Sequence, residues 1–225
     1  MSVLVLKIIA VVSMLLDHIG YSLDIYVLRC IGRLAFPIFA YLIGNGFRHT
    51  TSPVRYLSRL LLLAVLSQIP YTLFLSDTLV PEKLNIFFTL SLGLGLIWAM
   101  ERCEVSAAKL LCVVAAVGVC LILEPVAPLD YGLRGVLLIA ALYYYPTGSA
   151  MAISFLFIYY LPIWDALLPG GTLPSGWHQT LFGALALPLL YGYNGKAGYQ
   201  SSVLQWAFYL FYPAHLLVLH VIFHG

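Results

Sequence analysis

Charged residues are scarce in this sequence. Only 9% of its 225 residues are Asp, Glu, Lys or Arg, whereas soluble domains carry roughly 25%. Hydrophobic residues make up 62% of the chain, and the mean hydropathy is +0.98. This composition excludes a soluble globular protein and indicates a polytopic membrane protein. No stretch between the apolar runs is long enough for a separate soluble domain, so we predict a single transmembrane domain over residues 1–225.

The low net charge and the lack of cysteine motifs exclude further classes of function. The net charge of +2 is too small for a nucleic-acid-binding protein, so we expect no nucleic acid among the partners. No cysteine spacing such as C-x-x-C is present, which argues against a zinc site or a disulfide framework, and we expect no metal. The sequence also has no repeat at a fixed period. Four cysteines are therefore predicted to be reduced packing residues: Cys30, Cys103, Cys112 and Cys120.

The apolar runs predict an all-α protein with about nine transmembrane helices, within a range of eight to ten. The sixth and eighth runs are short for a span, so each is either tilted, re-entrant or part of a cavity wall. The predicted helices cover residues 3–22, 30–47, 56–75, 84–100, 107–123, 131–145, 149–164, 178–191 and 203–223.

The loop charges predict the orientation. Even-numbered loops hold most of the basic residues, whereas odd-numbered loops hold Arg29 and Lys83 among six acidic residues. The positive-inside rule therefore predicts a cytoplasmic N-terminus and, with nine spans, an external end at His224 and Gly225. We expect lipid headgroups to contact the loop cations. The cations of the second, fourth and eighth loops are Arg48, Arg55, Arg59, Arg102, Lys109 and Lys196.

The first helix contains Lys7, Asp17 and His18. A charge at the bilayer centre costs roughly 2.5–3.5 kcal/mol, and residues that carry such a cost are usually functional. The face of the helix that holds them is therefore a candidate functional site. Lys7 and His18 are close to three helical turns apart, which places them on one face at roughly 16 Å along the axis. His18 is either a general base or a buried histidine bonded to a neighbouring helix. Asp17 points about 100° away from it, and we expect it to pair with Arg33 or Arg134.

Further polar residues lie in or beside the other predicted helices. Arg33 suits a carboxylate or anionic partner, and Arg48 either binds an anion or extends to the inner headgroups. Asp130 and Arg134 are four residues apart and either pair on one turn or contact substrate. Pro213 loosens the helix beside His215, which is either catalytic or a packing residue.

The predicted orientation groups these residues by depth. His18, Arg33, Asn85 and Arg134 are expected in the outer half of the membrane. Lys7, Asn45 and Arg48 are expected in the cytoplasmic half. A polar seam through the helices is therefore predicted.

Six segments carry a family resemblance: KIIA (7–10), MLLDHIG (14–20), GRLAFPIF (32–39), NIFFT (85–89), DYG (130–132) and YLFYPAH (209–215). In their order and spread over the chain they resemble the TraX family, named for an inner-membrane protein that acetylates a conjugative pilin. TraX proteins are in turn similar to bacterial membrane acyltransferases whose first helix carries a basic residue, ten residues and a histidine. Lys7 and His18 have this spacing, although the basic residue there is usually Arg.

The resemblance implies acetyl transfer in a bacterial inner membrane, from cytoplasmic acetyl-CoA to an acceptor reached from outside. The acceptor is either a pilin N-terminal amine or a hydroxyl of a surface glycan or lipid. In this interpretation His18 deprotonates the acceptor, Asp17 and Arg33 hold geometry and charge, and His215 is a further catalytic candidate. Substrate and donor contacts are then expected from Lys7, Asn45, Arg48, Arg55, Arg59, Asn85, Asp130, Tyr131, Arg134 and Tyr212, with Asn85 or Tyr212 hydrogen-bonding the oxyanion.

Two other classes of function remain open from the sequence. Intramembrane Asp, His, Arg and Lys residues are also typical of a proton-coupled transporter or exporter. A catalytically silent assembly factor for a surface apparatus is the third class.

Overall fold

The computed structural model describes residues 1–168, 172–173 and 175–224, and this part of the chain is helical. It contains no β-strand, only an isolated bridge between Leu84 and Leu129. The prediction of an all-α protein is confirmed. Gly225, whose external position was predicted, lies outside the described residues.

The helices agree closely with the predicted apolar runs. They are α1 (Val3–Ser22), α2 (Tyr26–Gly32), α3 (Ala35–His49), α4 (Pro53–Ser76), α5 (Ile86–Glu101), α6 (Ser106–Leu123), α7 (Gly132–Tyr144), α8 (Gly148–Tyr159), α9 (Leu161–Ala166), α10 (Trp177–Leu181), α11 (Ala186–Tyr191) and α12 (Ser202–His224). A short 3₁₀ turn, Phe182–Leu185, joins α10 to α11.

Three predicted helices are divided in the structure. The run 149–164 ends as α8 at Tyr159 and restarts as α9 at Leu161, directly before Pro162. The run 178–191 is broken ahead of Pro188 in the same way. A proline lacks the backbone N–H that would donate to the carbonyl four residues earlier, so the helical hydrogen bonds are interrupted ahead of Pro162 and Pro188. The run 30–47 begins earlier than predicted, at Tyr26, and is interrupted between Gly32 and Ala35.

Five segments are long and apolar enough to cross a membrane: Val3–Ser22, Tyr26–His49, Pro53–Ser76, Ser106–Leu123 and Ser202–Phe223. These segments make the chain a multi-pass membrane protein. Three shorter apolar helices, α5, α7 and α8, have 12 to 16 residues, whereas a span needs about 20. The predicted count of nine spans is therefore not confirmed.

Residue contacts divide the chain into two units. Unit 1 comprises Met1–Leu42 and Tyr145–Phe211, and α1 packs against α2 within it. Its N-terminal segment is tied to the loop before α12, because the N–H groups of Val3 and Leu4 donate to the carbonyls of Lys196 and Ala197 (2.9 and 3.2 Å). Within α1, Ser2 serves as N-cap through its Oγ, which accepts from the N–H of Val5.

Unit 2 comprises residues 43–144 and the described residues from 212 onward. Its centre is α5, which packs against α4, α6 and α7. Gly93 of α5 lets α7 approach, because a Cβ at this position would lie 2.5 Å from Cδ1 of Ile139. The prediction of a single domain stays a prediction.

Candidate functional site

The clearest polar cluster of unit 1 surrounds the carboxylate of Asp17. Oδ2 of Asp17 accepts from Arg29 at 3.0 Å, and Oδ1 accepts from Arg33 at 2.5 Å. The three side chains are only 14 to 22% exposed. Gly32 makes room for the carboxylate, because a Cβ there would lie 2.2 Å from Cβ of Asp17. The predicted pairing of Asp17 with Arg33 is confirmed, and Arg29 is an additional partner.

Backbone bonds hold this cluster in place. Arg29 also donates to the carbonyl of Asp17 (3.3 Å) and lies 5.2 Å from the ring of Tyr21. Nε of Arg33 donates to the carbonyl of Arg29 (3.3 Å), and the hydroxyl of Tyr159 donates to the carbonyl of Arg33 (3.4 Å). With two guanidinium groups and one carboxylate, the cluster has a formal charge of +1, and α1 is fixed to α2 by charge-assisted bonds.

His18 follows Asp17 on α1 and is half-buried. The hydroxyl of Ser22, one turn later, donates to its backbone carbonyl (3.3 Å). On α1 the side chains of Asp17 and His18 point about 100° apart, so His18 faces a different direction from the carboxylate that the arginines bind. The catalytic role of His18 stays a prediction.

Lys7 lies on α1 about 16 Å from His18 along the helix axis. Its ammonium nitrogen is 5.6 Å from the ring centre of Phe208 in α12. Lys7 is the cation among the residues lining a groove of about 400 Å³ within unit 1. The other lining residues are Val3, Leu4, Ala197, Tyr199, Gln200, Ser201, Ser202, Leu204, Gln205 and Phe208.

The polar wall of the Lys7 groove was missed from the sequence. It consists of residues 200–202 and Gln205, at the start of α12. Oγ of Ser201 accepts from the N–H of Leu204 (3.1 Å) and so caps the first turn of this helix. The sequence does contain a signal for this wall, because a polar run stands directly before the last apolar segment.

In unit 2, Asn85 is completely buried at the start of α5. Its amide donates to the carbonyl of Ala64 (2.7 Å) and to Oε1 of Gln68 (2.9 Å), while its Oδ1 accepts from the N–H of Phe87 (3.0 Å). Both N–H donors of the amide are thus occupied in joining α5 to α4. A role in binding an oxyanion would require one of these bonds to break. Gln68, which also accepts from the N–H of Asn85 (3.0 Å), was not predicted.

A second group of predicted residues lies near the loop before α7. The hydroxyl of Tyr71 in α4 is hydrogen-bonded to the carboxylate of Asp130, and the guanidinium of Arg134 lies 5.3 Å from the ring centre of Tyr131. The N–H of Asp130 donates to the carbonyl of Leu84 (3.1 Å), which fixes the loop to the start of α5. The role of Tyr71 was missed, because only tertiary contacts join it to Asp130.

Tyr212 and His215 are buried together on α12, at 4 and 7% exposure. Their ring centres are 5.7 Å apart, and Tyr212 makes an edge contact with Phe87 of α5 at 5.0 Å. Pro213 lies inside the continuous α12 between them. This geometry fits packing residues as well as a site, so their functional roles stay predictions.

The three arginines predicted to bind the donor differ in their contacts and exposure. Arg48 donates to the carbonyl of Tyr143 and stacks on its ring at 4.6 Å. Arg55 and Arg59 are exposed on the first turns of α4, where Nε of Arg59 donates to the carbonyl of Arg55 (3.1 Å). The carbonyl of Asn45 accepts from Nδ1 of His49 (2.8 Å) at the end of α3.

The structure therefore brings the predicted residues together in separate groups. Unit 1 holds Lys7, Asp17, His18 and Arg33, and unit 2 holds the other predicted residues. Convergence of both groups on the outer half of the membrane stays a prediction.

Comparison with known proteins identifies the family. The model of the TraX protein family matches residues 2–223. The chain is also 30% identical to a probable fimbrial assembly protein FimC, serogroup H1, of Dichelobacter nodosus, in an alignment of 236 residues that covers 95% of this chain and 92% of that protein. No solved structure matches. On the evidence of a match over nearly its whole length, the chain belongs to the TraX family.

Proposed function

We propose that this protein is an integral-membrane acetyltransferase that moves an acetyl group from cytoplasmic acetyl-CoA to the N-terminal amine of a pilin. The observation that carries the proposal is the half-buried Asp17 cluster, next to His18 in sequence, because ionic groups inside membrane helices are usually kept for function. Family membership and the similarity to a fimbrial assembly protein support a pilin-related role.

His18 acts as the general base in this proposal. The acceptor nitrogen bonds to the carbonyl carbon of the thioester while His18 takes the proton from that nitrogen. The carbon–sulfur bond then breaks, and coenzyme A leaves as a thiolate that is protonated. The guanidinium groups of Arg29 and Arg33 are proposed to stabilise the negative charge that develops on the carbonyl oxygen.

The donor binds at the other end of α1 in this proposal. Lys7 offers a positive charge in the groove of about 400 Å³, where a phosphate group of the donor would be bound. The pantetheine arm then covers the roughly 16 Å along α1 to His18. Arg55 and Arg59, exposed in unit 2, are proposed to attract the same phosphates from the cytoplasm.

The alternative functions make different predictions. A proton-coupled exporter needs intramembrane groups that carry protons across the membrane, whereas the carboxylate of Asp17 binds Arg29 and Arg33 and links α1 to α2. Membership of the TraX family and the similarity to a fimbrial assembly protein favour a pilin-related role over export. A hydroxyl of a surface glycan or lipid remains the alternative acceptor, and attack by an oxygen would use the same base.

The test is acetyl transfer in membranes. Membranes containing the protein are incubated with labelled acetyl-CoA and purified pilin, and mass spectrometry locates the label on pilin, glycan or lipid. We expect label on the pilin N-terminus, and His18→Ala to reduce its rate by about 10²- to 10⁴-fold.

His178→Ala is the matched control, because the ring centre of His178 lies 4.7 Å from that of Trp177 and no described contact joins it to the Asp17 cluster. It should retain the wild-type rate. Absence of label from all three acceptors would refute acetyl transfer, and normal activity of His18→Ala would refute the assigned base.

A further inference from the structure

Two thiols are in contact at the corner where α5 ends and α6 begins. Sγ of Cys103 lies 3.8 Å from Sγ of Cys112, and both cysteines are free. Cys103 lies in the loop between the two helices, and Cys112 lies on the second turn of α6. Both are half-buried, whereas Cys30 and Cys120 are only 4% exposed. The fold of unit 2 therefore brings together two thiols that small solutes can reach.

Hydrogen bonds fix the backbone on both sides of this pair. The N–H of Cys103 donates to the carbonyl of Met100 (3.1 Å), and its thiol donates to the carbonyl of Ala99 (3.4 Å). At the start of α6, the N–H of Lys109 donates to the carbonyl of Val105 (3.2 Å). The contact between the two sulfurs is thus set by hydrogen-bonded backbone at the ends of two helices.

The end of α7 braces the same corner. The hydroxyl of Tyr144 donates to Oε1 of Glu101 at the end of α5 (2.9 Å). The ring centre of Tyr144 also lies 5.9 Å from Nζ of Lys109 in α6. Three helices of unit 2 are therefore tied together beside the thiols, which keeps the two sulfurs close without a covalent bond.

Contact, and not charge, distinguishes these two thiols. The charged residues beside them in sequence are two acidic and two basic ones, Glu101, Arg102, Glu104 and Lys109. Their formal charges cancel, so net charge gives neither thiol an advantage as a nucleophile. Proximity does give an advantage, because a thiol that has been oxidised to a sulfenic acid condenses with a second thiol beside it.

We propose that Cys103 and Cys112 form a redox site, which hydrogen peroxide oxidises to a disulfide. The sulfur of Cys103 bonds to one oxygen of the peroxide, the O–O bond breaks, and the other oxygen leaves as water. The thiol of Cys112 then attacks the sulfenic sulfur, the S–S bond forms, and the S–O bond breaks to release a second water. The two thiols lose two electrons and two protons in total, and one hydrogen peroxide is reduced to two waters.

The positions of the two thiols assign their roles. Cys103 lies outside the membrane-spanning segment Ser106–Leu123, where peroxide arrives from water, whereas Cys112 lies inside it. Cys103 is therefore the thiol that reacts with peroxide first, and Cys112 resolves the sulfenic acid. Closing the bond brings the sulfurs from 3.8 Å to about 2 Å, a movement on the scale of side-chain rotation.

The disulfide would tie the end of α5 covalently to α6. The predicted orientation places this corner on the cytoplasmic side, where thiols are kept reduced and disulfides are transient. Exchange with a dithiol reductant would return the pair to the free thiols of the structure. The site is independent of acetyl transfer, since it uses neither His18 nor the Asp17 cluster.

Mass spectrometry of the wild-type protein tests the site. Membranes are treated with hydrogen peroxide or with dithiothreitol, remaining thiols are blocked with N-ethylmaleimide, and the protein is digested with trypsin without reduction. Cleavage after Arg102, Lys109 and Arg134 separates the two cysteines into peptides 103–109 and 110–134. We expect a disulfide between these peptides after peroxide, at least about tenfold more abundant than after dithiothreitol, because contact in the fold promotes the reaction.

Peptide 110–134 also contains Cys120, which makes Cys120→Ser the matched control. Cys120 is eight residues beyond Cys112 on α6, about 12 Å along the helix axis. Cys120→Ser should retain the disulfide, whereas Cys112→Ser should lose it. Unfolding in sodium dodecyl sulfate controls for proximity, because Cys103 should then bond to Cys112 and to Cys120 in yields within about threefold of each other.

A sulfenic-acid probe tests the assigned roles. In Cys112→Ser the sulfenic acid has no resolving thiol, so dimedone, which labels sulfenic acids, should mark Cys103 after peroxide. Cys103→Ser should give no comparable label at Cys112.

The proposal stands if the folded wild type forms the disulfide between Cys103 and Cys112 and dithiothreitol reverses it. Unchanged thiols after peroxide, or a disulfide that links two copies of the protein, would overturn it. Equal yields of the links from Cys103 to Cys112 and to Cys120 in the folded protein would overturn it as well. Sulfinic acid at Cys103 without a disulfide would do the same, since it would show that Cys112 does not resolve the sulfenic acid.

Discussion

Replacing Asp17 by Asn should destabilise the protein, because it removes the carboxylate that two half-buried arginines bind. Removing one partner of a buried ion pair costs about 3–5 kcal/mol. The side chains here retain 14 to 22% exposure, so water screens part of that cost. We expect a loss of about 2–4 kcal/mol. For a chain of this length that lowers the melting temperature by about 4–16 °C.

The two arginines should contribute unequally. Arg33 makes the shorter contact with Asp17 and is less exposed than Arg29, 17 against 22%. Arg33→Gln should therefore lower the melting temperature more than Arg29→Gln. In the double variant Asp17→Asn, Arg33→Gln, the loss of stability should be smaller than the sum of the two single losses by about 1–3 kcal/mol. Each single change already breaks the same contact.

Thermal unfolding in detergent measures these effects, with Asp24→Asn as the matched control. Asp24 is an exposed aspartate just after α1, and its left-handed backbone (φ of 52°) accepts Asn readily. Equal melting temperatures for Asp17→Asn and Asp24→Asn would show that the ion pairs contribute no stability. Additive effects of Asp17→Asn and Arg33→Gln would show that the two side chains act independently.

Three further predictions concern unit 2 and the orientation. Asn85→Ala should cost about 2–4 kcal/mol in thermal unfolding because it leaves buried groups of α4 and α5 unpaired, whereas Asn45→Ala, at a half-buried position, should cost less. The double variant Arg55→Gln, Arg59→Gln should raise KM for acetyl-CoA with kcat less affected, and an unchanged KM would show that these two arginines do not attract the donor. In intact cells, an impermeant thiol reagent should label a single cysteine at position 77 but not at 55, and the reverse pattern would invert the orientation.

The helices could largely be predicted from the sequence. Apolar length and the residues between the runs place α1 at its observed bounds and most other helices within a few residues. Pro162 predicts the break before α9, because its missing N–H removes a helical hydrogen bond, whereas the length of the apolar run favours one continuous helix. The number of membrane spans could not be predicted in the same way. α5 is an apolar helix of 16 residues that is largely buried by its neighbours, so an apolar run does not by itself indicate a span.

The candidate site could be predicted only in part. Intramembrane charge led to Asp17 and Arg33, because a buried carboxylate needs a partner. Arg29 was missed because it was assigned to a loop, although its spacing of four from Arg33 already suggested one helical face. Gln68 could not be found, because its bonds to Asn85 join two helices 17 positions apart in sequence, and periodicity within one helix carries no information on such contacts.

The attachment of the N-terminal segment to Lys196 and Ala197 has a consequence for biosynthesis. α1 is made before residues 196 and 197, yet two of its first N–H groups are paired only when Lys196 and Ala197 have been translated. The wall of the Lys7 groove comes from the same late segment. The groove is therefore completed only when the first turns of α12 have been made, so a chain truncated before α12 would lack part of its wall.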